Sequence, residues 1–302
     1  MANPLSPGRT KAPNGRIAYV NGRYLPHAHA FVHIEDRGYQ FADAVYEACE
    51  VRDGAIIDLT RHLDRLDRSL DALQMLRPMS RPALAFVIRE VVGRNLVSYG
   101  SVYLQVGRGV ARRDHPFPAT PLPPSLVITA KHGDRAKAET QANAGIGVIT
   151  LPDNRWGRVD IKTVGLLPNV LAKQAAREAG AREAWFIDAD GYVTEGGSSN
   201  AWIVTAEGVL VTRQASTAIL SGITRAGVLD VAEAAGLKVE LRRFTVAEAK
   251  SAREAFVTSA SQIVLPVVMI DGDPVANGHP GTIALNLRRR FHDVAEATPA
   301  TK

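Results

Sequence analysis

Residues 160–176 read DIKTVGLLPNVLAKQAA, and Lys162 in this stretch is the residue to which the other motifs of the chain can be related. Lys162 ends a strand-like segment and precedes an apolar turn and a helix. Apolar neighbours such as Ile161 and Val164 disfavour the charged ammonium and favour the free amine that attacks carbonyl carbons. Taken alone, the pattern is more typical of an exposed lysine at a strand edge.

A second stretch, residues 192–200, reads YVTEGGSSN and places Glu195 after a strand and before two glycines. A carboxylate at a strand end can keep a pyridine nitrogen protonated, which makes the ring an electron sink. An acidic turn residue without any ligand is about equally consistent with this composition.

Two further segments have features of phosphate sites. In ILSGITRAG, Gly222-Ile223-Thr224 opens a helix whose free N–H groups, with the Thr224 hydroxyl, can bind an anion. In TRHLDRLDRSL, Arg65 on the polar side of a leucine-striped helix can bind a phosphate through two nitrogens. The alternatives are a helix start without a ligand and a surface helix carrying salt bridges.

Together the four features supply an imine-forming lysine, an acid for a pyridinium and two phosphate anchors. These are the groups that a protein needs to hold pyridoxal 5'-phosphate. The chain from about Ala18 to Val294 resembles the fold-type IV pyridoxal-phosphate enzymes, and in detail the D-amino-acid aminotransferases of the class IV aminotransferase family. The resemblance rests on EDRGYQFADAVYE, HLDR, RRDHPFP, RWGRVDIK, LLPNVLAKQ, VTEGGSSN, LSGITR and FVTSASQ, in this order.

The resemblance implies a mixed α+β fold of two domains, with a cofactor cleft between them and a homodimer whose subunits share the active site. It implies ping-pong transfer of an amino group between a D-amino acid, such as D-alanine, and a 2-oxo acid, such as 2-oxoglutarate. Carried over by position, Lys162 is the catalytic, imine-forming residue. The implied cofactor contacts are Arg65, Lys162, Glu195, Ser199, Asn200, Leu220, Gly222, Ile223, Thr224, Ser259 and Ala260.

The resemblance also implies a receptor for the substrate carboxylate. Tyr46 faces the carboxylate, and Arg113 and His115 reach it from the neighbouring subunit. Such a cationic receptor suits an amino acid better than a simple amine. Arg108 and Arg112 lie in the same segment, so the choice of Arg113 follows the family spacing. A branched-chain L-aminotransferase, an R-selective amine aminotransferase or an aminodeoxychorismate lyase of the same fold is the alternative, and a carrier protein or a nucleic-acid binder is a more distant one.

Three departures from the family pattern concern the pocket. Gly197 stands where serine is frequent, Ala44 where glycine is usual, and Ala260 begins a stretch where hydroxyl residues are commoner.

Composition sets the outer limits. The 302 residues are 46% hydrophobic and 22% charged, which is typical of a globular protein and excludes fibrous classes. The net charge of +5 is scattered, which argues against nucleic acid. Cys49 is the only cysteine, so we expect a reducing compartment such as the cytoplasm and no intrachain disulfide. No metal site and no membrane span are predicted, and His27, His29, His33 and His62 are expected in solvent.

The pattern predicts flexible tails at 1–14 and 297–302, a smaller N-terminal α/β domain over 15–132 and a larger cofactor-binding domain over 133–296. Asn21-Gly22 and Asp53-Gly54 predict hairpins. Leucines from Leu63 to Leu76 predict a helix, and residues 131–145 predict a polar connection. Further predicted strands lie near 101–108, 125–130, 146–151, 184–188, 199–204 and 209–212, and further helices near 81–96, 167–179, 223–235, 245–252 and 281–295.

Overall fold

The computed structural model describes residues 15–301, so the predicted tail at 1–14 lies outside the described residues. Their strands form two sheets, and helices cover these sheets, which confirms the predicted mixed α+β class. The helices are α1 Arg37–Phe41, α2 Leu59–Ala72, α3 Arg81–Arg94, α4 Arg135–Ala144, α5 Leu167–Glu178, α6 Ile223–Ala234, α7 Val246–Lys250 and α8 Thr282–Val294, with a short 3-10 helix at His27–His29.

The first sheet contains both predicted hairpins. Its strands are β1 Ile17–Val20, β2 Arg23–Pro26, β3 Ala44–Arg52, β4 Ala55–Ile57, β5 Tyr99–Gly107, β6 Ser125–His132 and β16 Ala297–Pro299, in the order β16-β4-β3-β5-β6-β1-β2. Asn21-Gly22 and Asp53-Gly54 all have positive φ, which the tight turns between antiparallel strands require.

The helices α2 and α3 pack on one face of this sheet. Leu63, Leu66 and Leu70 are buried in one cluster with sheet residues such as Val102. Burial of this kind is worth about 1.5–3 kcal/mol for each leucine side chain. The predicted stripe is too long, because α2 ends at Ala72 and Leu76 is 54% exposed.

The second sheet forms the other half of the protein. Its strands are β7 Ile146–Pro152, β8 Glu183–Ile187, β9 Val193–Gly196, β10 Asn200–Val204, β11 Leu210–Thr212, β12 Val239–Leu241, β13 Glu254–Ser259, β14 Ile263–Ile270 and β15 Asp273–Pro274. The order is β12-β11-β10-β13-β14-β7-β8-β9, with β15 beside β14. All of β10 is buried, because α6 and α8 pack on one face and a second apolar cluster fills the other.

Two stretches contradict the sequence predictions. The polar segment at 131–145 contains α4, whose first turn is capped by Asp134, the side chain of which accepts from the Lys137 N–H at 2.9 Å. The predicted flexible end at 297–302 contains β16, which pairs with β4 and extends the first sheet. The two sheets divide the chain between His132 and Ile146, apart from β16, and the division into two domains near residue 133 stays a prediction.

Candidate active site

A cleft of about 1870 Å³ collects the predicted site residues. Its walls come from both sheets, from α2 and α6, and from the segment that carries Lys162. Arg113 alone among the predicted site residues does not line it. Residues that lie far apart along the chain therefore meet around one volume, as the four sequence features require.

Lys162 lies in a loop attached to β3, not at the end of a strand as predicted. Its carbonyl accepts from the Tyr46 N–H at 3.0 Å, and its neighbour Thr163 forms an isolated bridge with Val45. The Nζ atom lies 4.2 Å from the centre of the Tyr46 ring. Ile161 is anchored in the core, so the backbone on both sides of the lysine is held while the amine points into the cleft.

Glu195 is a buried carboxylate on β9 at the floor of the cleft. Its Oε1 accepts from Nη1 of Arg155, and its Oε2 accepts from Nδ2 of Asn200 at 3.0 Å and from the Leu220 N–H at 3.1 Å. Burial raises the pKa of Glu195 to about 7 against the opposing charge of Arg155. Three of about four acceptor positions are used, so one remains for a donor in the cleft.

Arg155 is a site residue that the sequence interpretation missed, although it lies in RWGRVDIK. It is buried and ion-paired with both Asp153 and Glu195. A buried arginine needs such partners, and its place seven residues before Lys162 is the sequence feature that could have identified it.

The turn after Glu195 is fixed by hydrogen bonds to Glu183, another residue that was not predicted from the sequence. Oε2 of Glu183 accepts from the Ser198 hydroxyl at 2.9 Å and from the Ser199 hydroxyl at 3.0 Å. The Ser199 hydroxyl proton is therefore donated to Glu183, and the turn is followed by Asn200, which donates to Glu195.

The N-terminus of α6 opens into the same cleft. Gly222 is the N-cap and no side chain caps the helix, so the first N–H groups, including those of Ile223 and Thr224, face the cleft without a side-chain acceptor. A Cβ at Gly222 would collide with Oδ1 of Asn200, so only glycine fits there. This is the geometry of an anion site. Ser259 and Ala260 lie at the end of β13 beside it and line the cleft.

Arg65 is buried, and this corrects its predicted place on the polar side of α2. It donates through Nε and Nη2 to Glu47, each at 2.7 Å, and through Nη1 to the carbonyl of Ser221 at 3.0 Å. His62, predicted in solvent, is also buried, with Nδ1 2.7 Å from Glu47. Burial would raise the pKa of Glu47, but Arg65 and His62 lower it to about 2. Arg65 thus lies next to the start of α6 with its charge already balanced.

The predicted carboxylate receptor is only partly assembled in one chain. Tyr46 and His115 line the cleft, whereas Arg113 is exposed and its guanidinium lies 4.7 Å from the centre of the Phe41 ring. The His115 ring contacts the same phenylalanine, with centroids 5.4 Å apart.

These groups fit pyridoxal 5'-phosphate. The cleft offers an amine at Lys162, a buried carboxylate with a free acceptor position at Glu195 and uncapped helix N–H groups at α6, which match the aldehyde, the ring nitrogen and the phosphate. Among residues 15–301 there is no group of three or more His, Cys, Asp or Glu that could hold a metal. In the same part of the chain, no helix is both long enough and apolar enough to cross a membrane.

Comparison with known proteins gives consistent matches. The family described as Amino-transferase class IV matches residues 44–270. The D-alanine aminotransferase of Bacillus licheniformis is 40% identical over 268 residues, which covers 89% of this chain and 93% of that protein. The D-alanine aminotransferase of Staphylococcus haemolyticus is 37% identical, with 92% and 98% covered.

Solved structures agree on the fold. The T.th. branched-chain amino acid aminotransferase with pyridoxamine 5'-phosphate superposes with a TM-score of 0.85 at 29% identity, covering 92% of this chain and 93% of that one. The branched-chain amino acid aminotransferase from Escherichia coli gives a TM-score of 0.84 at 22% identity, covering 93% and 94%, and this likeness shows the fold alone.

Proposed function

The chain belongs to the class IV aminotransferases, and from that premise we propose that it exchanges an amino group between a D-amino acid, such as D-alanine, and a 2-oxo acid, such as 2-oxoglutarate. The observation that carries the proposal is the meeting of Lys162, Glu195 and the start of α6 in one cleft. The choice of D-amino acids is supported by curated relatives at 37–40% identity over about nine tenths of the chain.

The cofactor is pyridoxal 5'-phosphate. Lys162 would hold it covalently through Nζ, Glu195 would face its ring nitrogen, and Ile223 and Thr224 at the start of α6 would bind its phosphate beside Arg65 and Ser259. When bound, the group accepts negative charge from the substrate carbon and carries the amino group between the two half-reactions. Arg155 and Asn200 donate to the Glu195 carboxylate and hold it in the orientation in which it would face the ring.

Lys162 has a second task in this proposal. With its amine free, Nζ would remove the proton from the substrate Cα and would give that proton back later in the exchange. The hydrogen bond from the Tyr46 N–H to the Lys162 carbonyl helps to hold the amine beside the Tyr46 ring, at the side of the cleft where the carboxylate would bind. The isomer that directs its Cα–H at Nζ from this orientation is the one that reacts, which gives a physical basis for selection by handedness.

We further propose a homodimer in which Arg113 and His115 of a neighbouring copy complete the carboxylate receptor with Tyr46. Large apolar side chains exposed at the cleft support a second copy at this face, because Val170 and Leu171 of α5 and Phe117 are each more than half exposed. A reducing setting such as the cytoplasm stays a prediction from the single, buried Cys49.

The test is a visible spectrum of the purified, cofactor-loaded protein before and after D-alanine, with L-alanine and L-leucine as controls. D-Alanine should remove the visible band, and 2-oxoglutarate should restore it. A response to L-leucine and not to D-alanine would replace this proposal with the branched-chain activity of the structural relatives.

A further inference from the structure

The motif EDRGYQFADAVYE, residues 35–47, contains a buried cation that the proposed chemistry does not use. Its helix α1 lies at the surface, where Tyr39 is 73% exposed, yet Arg37 in the same helix is only 3% exposed. A buried arginine is costly unless its donors are satisfied, so its partners indicate its role.

Arg37 binds the loop that carries the predicted carboxylate receptor. Nη1 donates to the carbonyl of Asp114 at 2.6 Å and Nη2 to that of His115 at 3.2 Å. Both acceptors belong to the Arg113–His115 segment, which has no helix or strand of its own. The guanidinium therefore holds the backbone of this segment directly.

The third arm of Arg37 connects the loop to the strand that bears Tyr46. Nε donates to Oδ2 of Asp43 at 2.8 Å, and Asp43 is three residues before Tyr46. The second cation on this carboxylate, Arg108, binds Oδ2 at 2.7 Å and Oδ1 at 3.0 Å. Arg108 also donates to the carbonyls of Leu73 and Gln74 after α2, so Asp43 is fixed from two sides.

The last residue of α1 supports the receptor side chains themselves. The Phe41 ring is contacted by the guanidinium of Arg113 and by the His115 ring, and the Arg37 guanidinium lies 4.8 Å from its centre. Helix α1 thus contacts both the backbone and the side chains of the Arg113–His115 segment.

We propose that Arg37 is a positioning residue for the substrate carboxylate. Through Asp43 and Phe41 it fixes the Arg113–His115 segment in the place from which the segment would meet Tyr46 of a neighbouring copy. The inference rests on the proposed function, because it takes this segment as the carboxylate receptor. A receptor that is held in place before substrate arrives binds more tightly than one that must be ordered on binding.

The first test measures steady-state kinetics of the cofactor-loaded Arg37→Gln variant with D-alanine. A misplacement of about 1 Å can cost on the order of 100-fold, so we expect KM to rise about 10- to 100-fold while kcat stays within about threefold. For D-alaninamide, which lacks the carboxylate charge, the rise in KM should be much smaller. Arg37→Lys can keep the Asp43 ion pair without spanning both carbonyls, so its KM should lie between those of the wild type and Arg37→Gln. This variant provides the test if Arg37→Gln folds poorly.

The second test needs no turnover. Hydrogen exchange of residues 110–117 in the loaded protein should accelerate in Arg37→Gln and stay at the wild-type rate in Arg213→Gln. Arg213 is the control, because it also pairs with an aspartate, Asp188, at 2.7 Å but, unlike Arg37, does not line the cleft.

Unchanged KM for D-alanine in both Arg37 variants, or exchange in 110–117 that matches the Arg213 control, would overturn the inference. If the wild-type enzyme does not react with D-alanine, but hydrogen exchange of residues 110–117 is still faster in Arg37→Gln than in the wild type, the proposed substrate is refuted. The role of Arg37 in holding this loop is then still supported.

Discussion

Replacing Glu47 by glutamine tests whether the cluster of Glu47, His62 and Arg65 behaves as the structure indicates. The carboxylate is fully buried and its pKa is lowered from 4.5 to about 2. A difference of 2.5 units corresponds to about 3 kcal/mol of folding free energy at neutral pH. Breaking a buried ion pair and leaving one charge behind costs about 3–5 kcal/mol, so two separate arguments agree.

The sign of the pH dependence follows from the direction of the shift. Because the folded pKa lies below the unfolded one, the unfolded chain takes up the proton first as the solution is acidified. The stabilisation by Glu47 is therefore complete above about pH 4.5 and falls as the pH drops towards 2, with about 2 kcal/mol lost by pH 3.

The assay is urea and thermal unfolding of the cofactor-free protein between pH 7 and pH 3. For 302 residues, 3 kcal/mol corresponds to a fall in Tm of about 5 °C. Asp230→Asn serves as the control, since its pair with Arg61 is solvent-exposed and worth less than about 1 kcal/mol. A Glu47→Gln protein that is within 1 kcal/mol of wild type at pH 7, or that keeps the wild-type acid dependence, would refute the reasoning.

Three other substitutions give further expected outcomes. Lys162→Ala should abolish the visible band and nearly all transamination, measured by absorbance and by pyruvate release, and full turnover would exclude the assignment of the amine. Arg113→Ala should lower kcat/KM for D-alanine by about 2–3 kcal/mol, roughly 30- to 150-fold, through loss of a charged hydrogen bond, and unchanged kinetics would show that another arginine binds the carboxylate. Glu254→Gln should destabilise the protein by about 1–3 kcal/mol in urea unfolding, because Glu254 accepts from the N–H groups of Ile283 and Ala284 at the start of α8, and an unchanged midpoint would show that this cap is dispensable.

The sequence predicts those turns and helix ends whose conformation depends on the residues at the turn itself. The Asn21-Gly22 and Asp53-Gly54 turns need positive φ, and Gly180 and Gly236, with φ of 72° and 67°, provide it two residues after the ends of α5 and α6. The strands β13 and β14 were not predicted, because they are buried on both faces and lack the alternation of polar and apolar residues that marks a strand with one face in water.

The site was predicted as far as its residues stand in recognisable motifs. Lys162, Glu195 and Thr224 line one cleft, and the roles that the resemblance implied for them stay predictions. The partners that keep such groups in place were missed, because Arg155 and Glu47 act through neighbours that are distant in sequence. His62 shows the reason: its helix position indicates a polar residue, and only the folded chain brings the buried Glu47 to its ring.

Because β16 is the last strand to be synthesised, the edge of β4 with which it pairs is unpaired during much of translation. The first sheet gains this edge strand only after residue 299 has been made, although its other strands are complete by residue 132. During synthesis of the intervening segment, the free edge of β4 can pair with any extended chain nearby, including a second nascent copy. Until residue 299 has been made, this edge of the sheet is therefore open to mispairing, and cleavage ahead of residue 297 would leave it open.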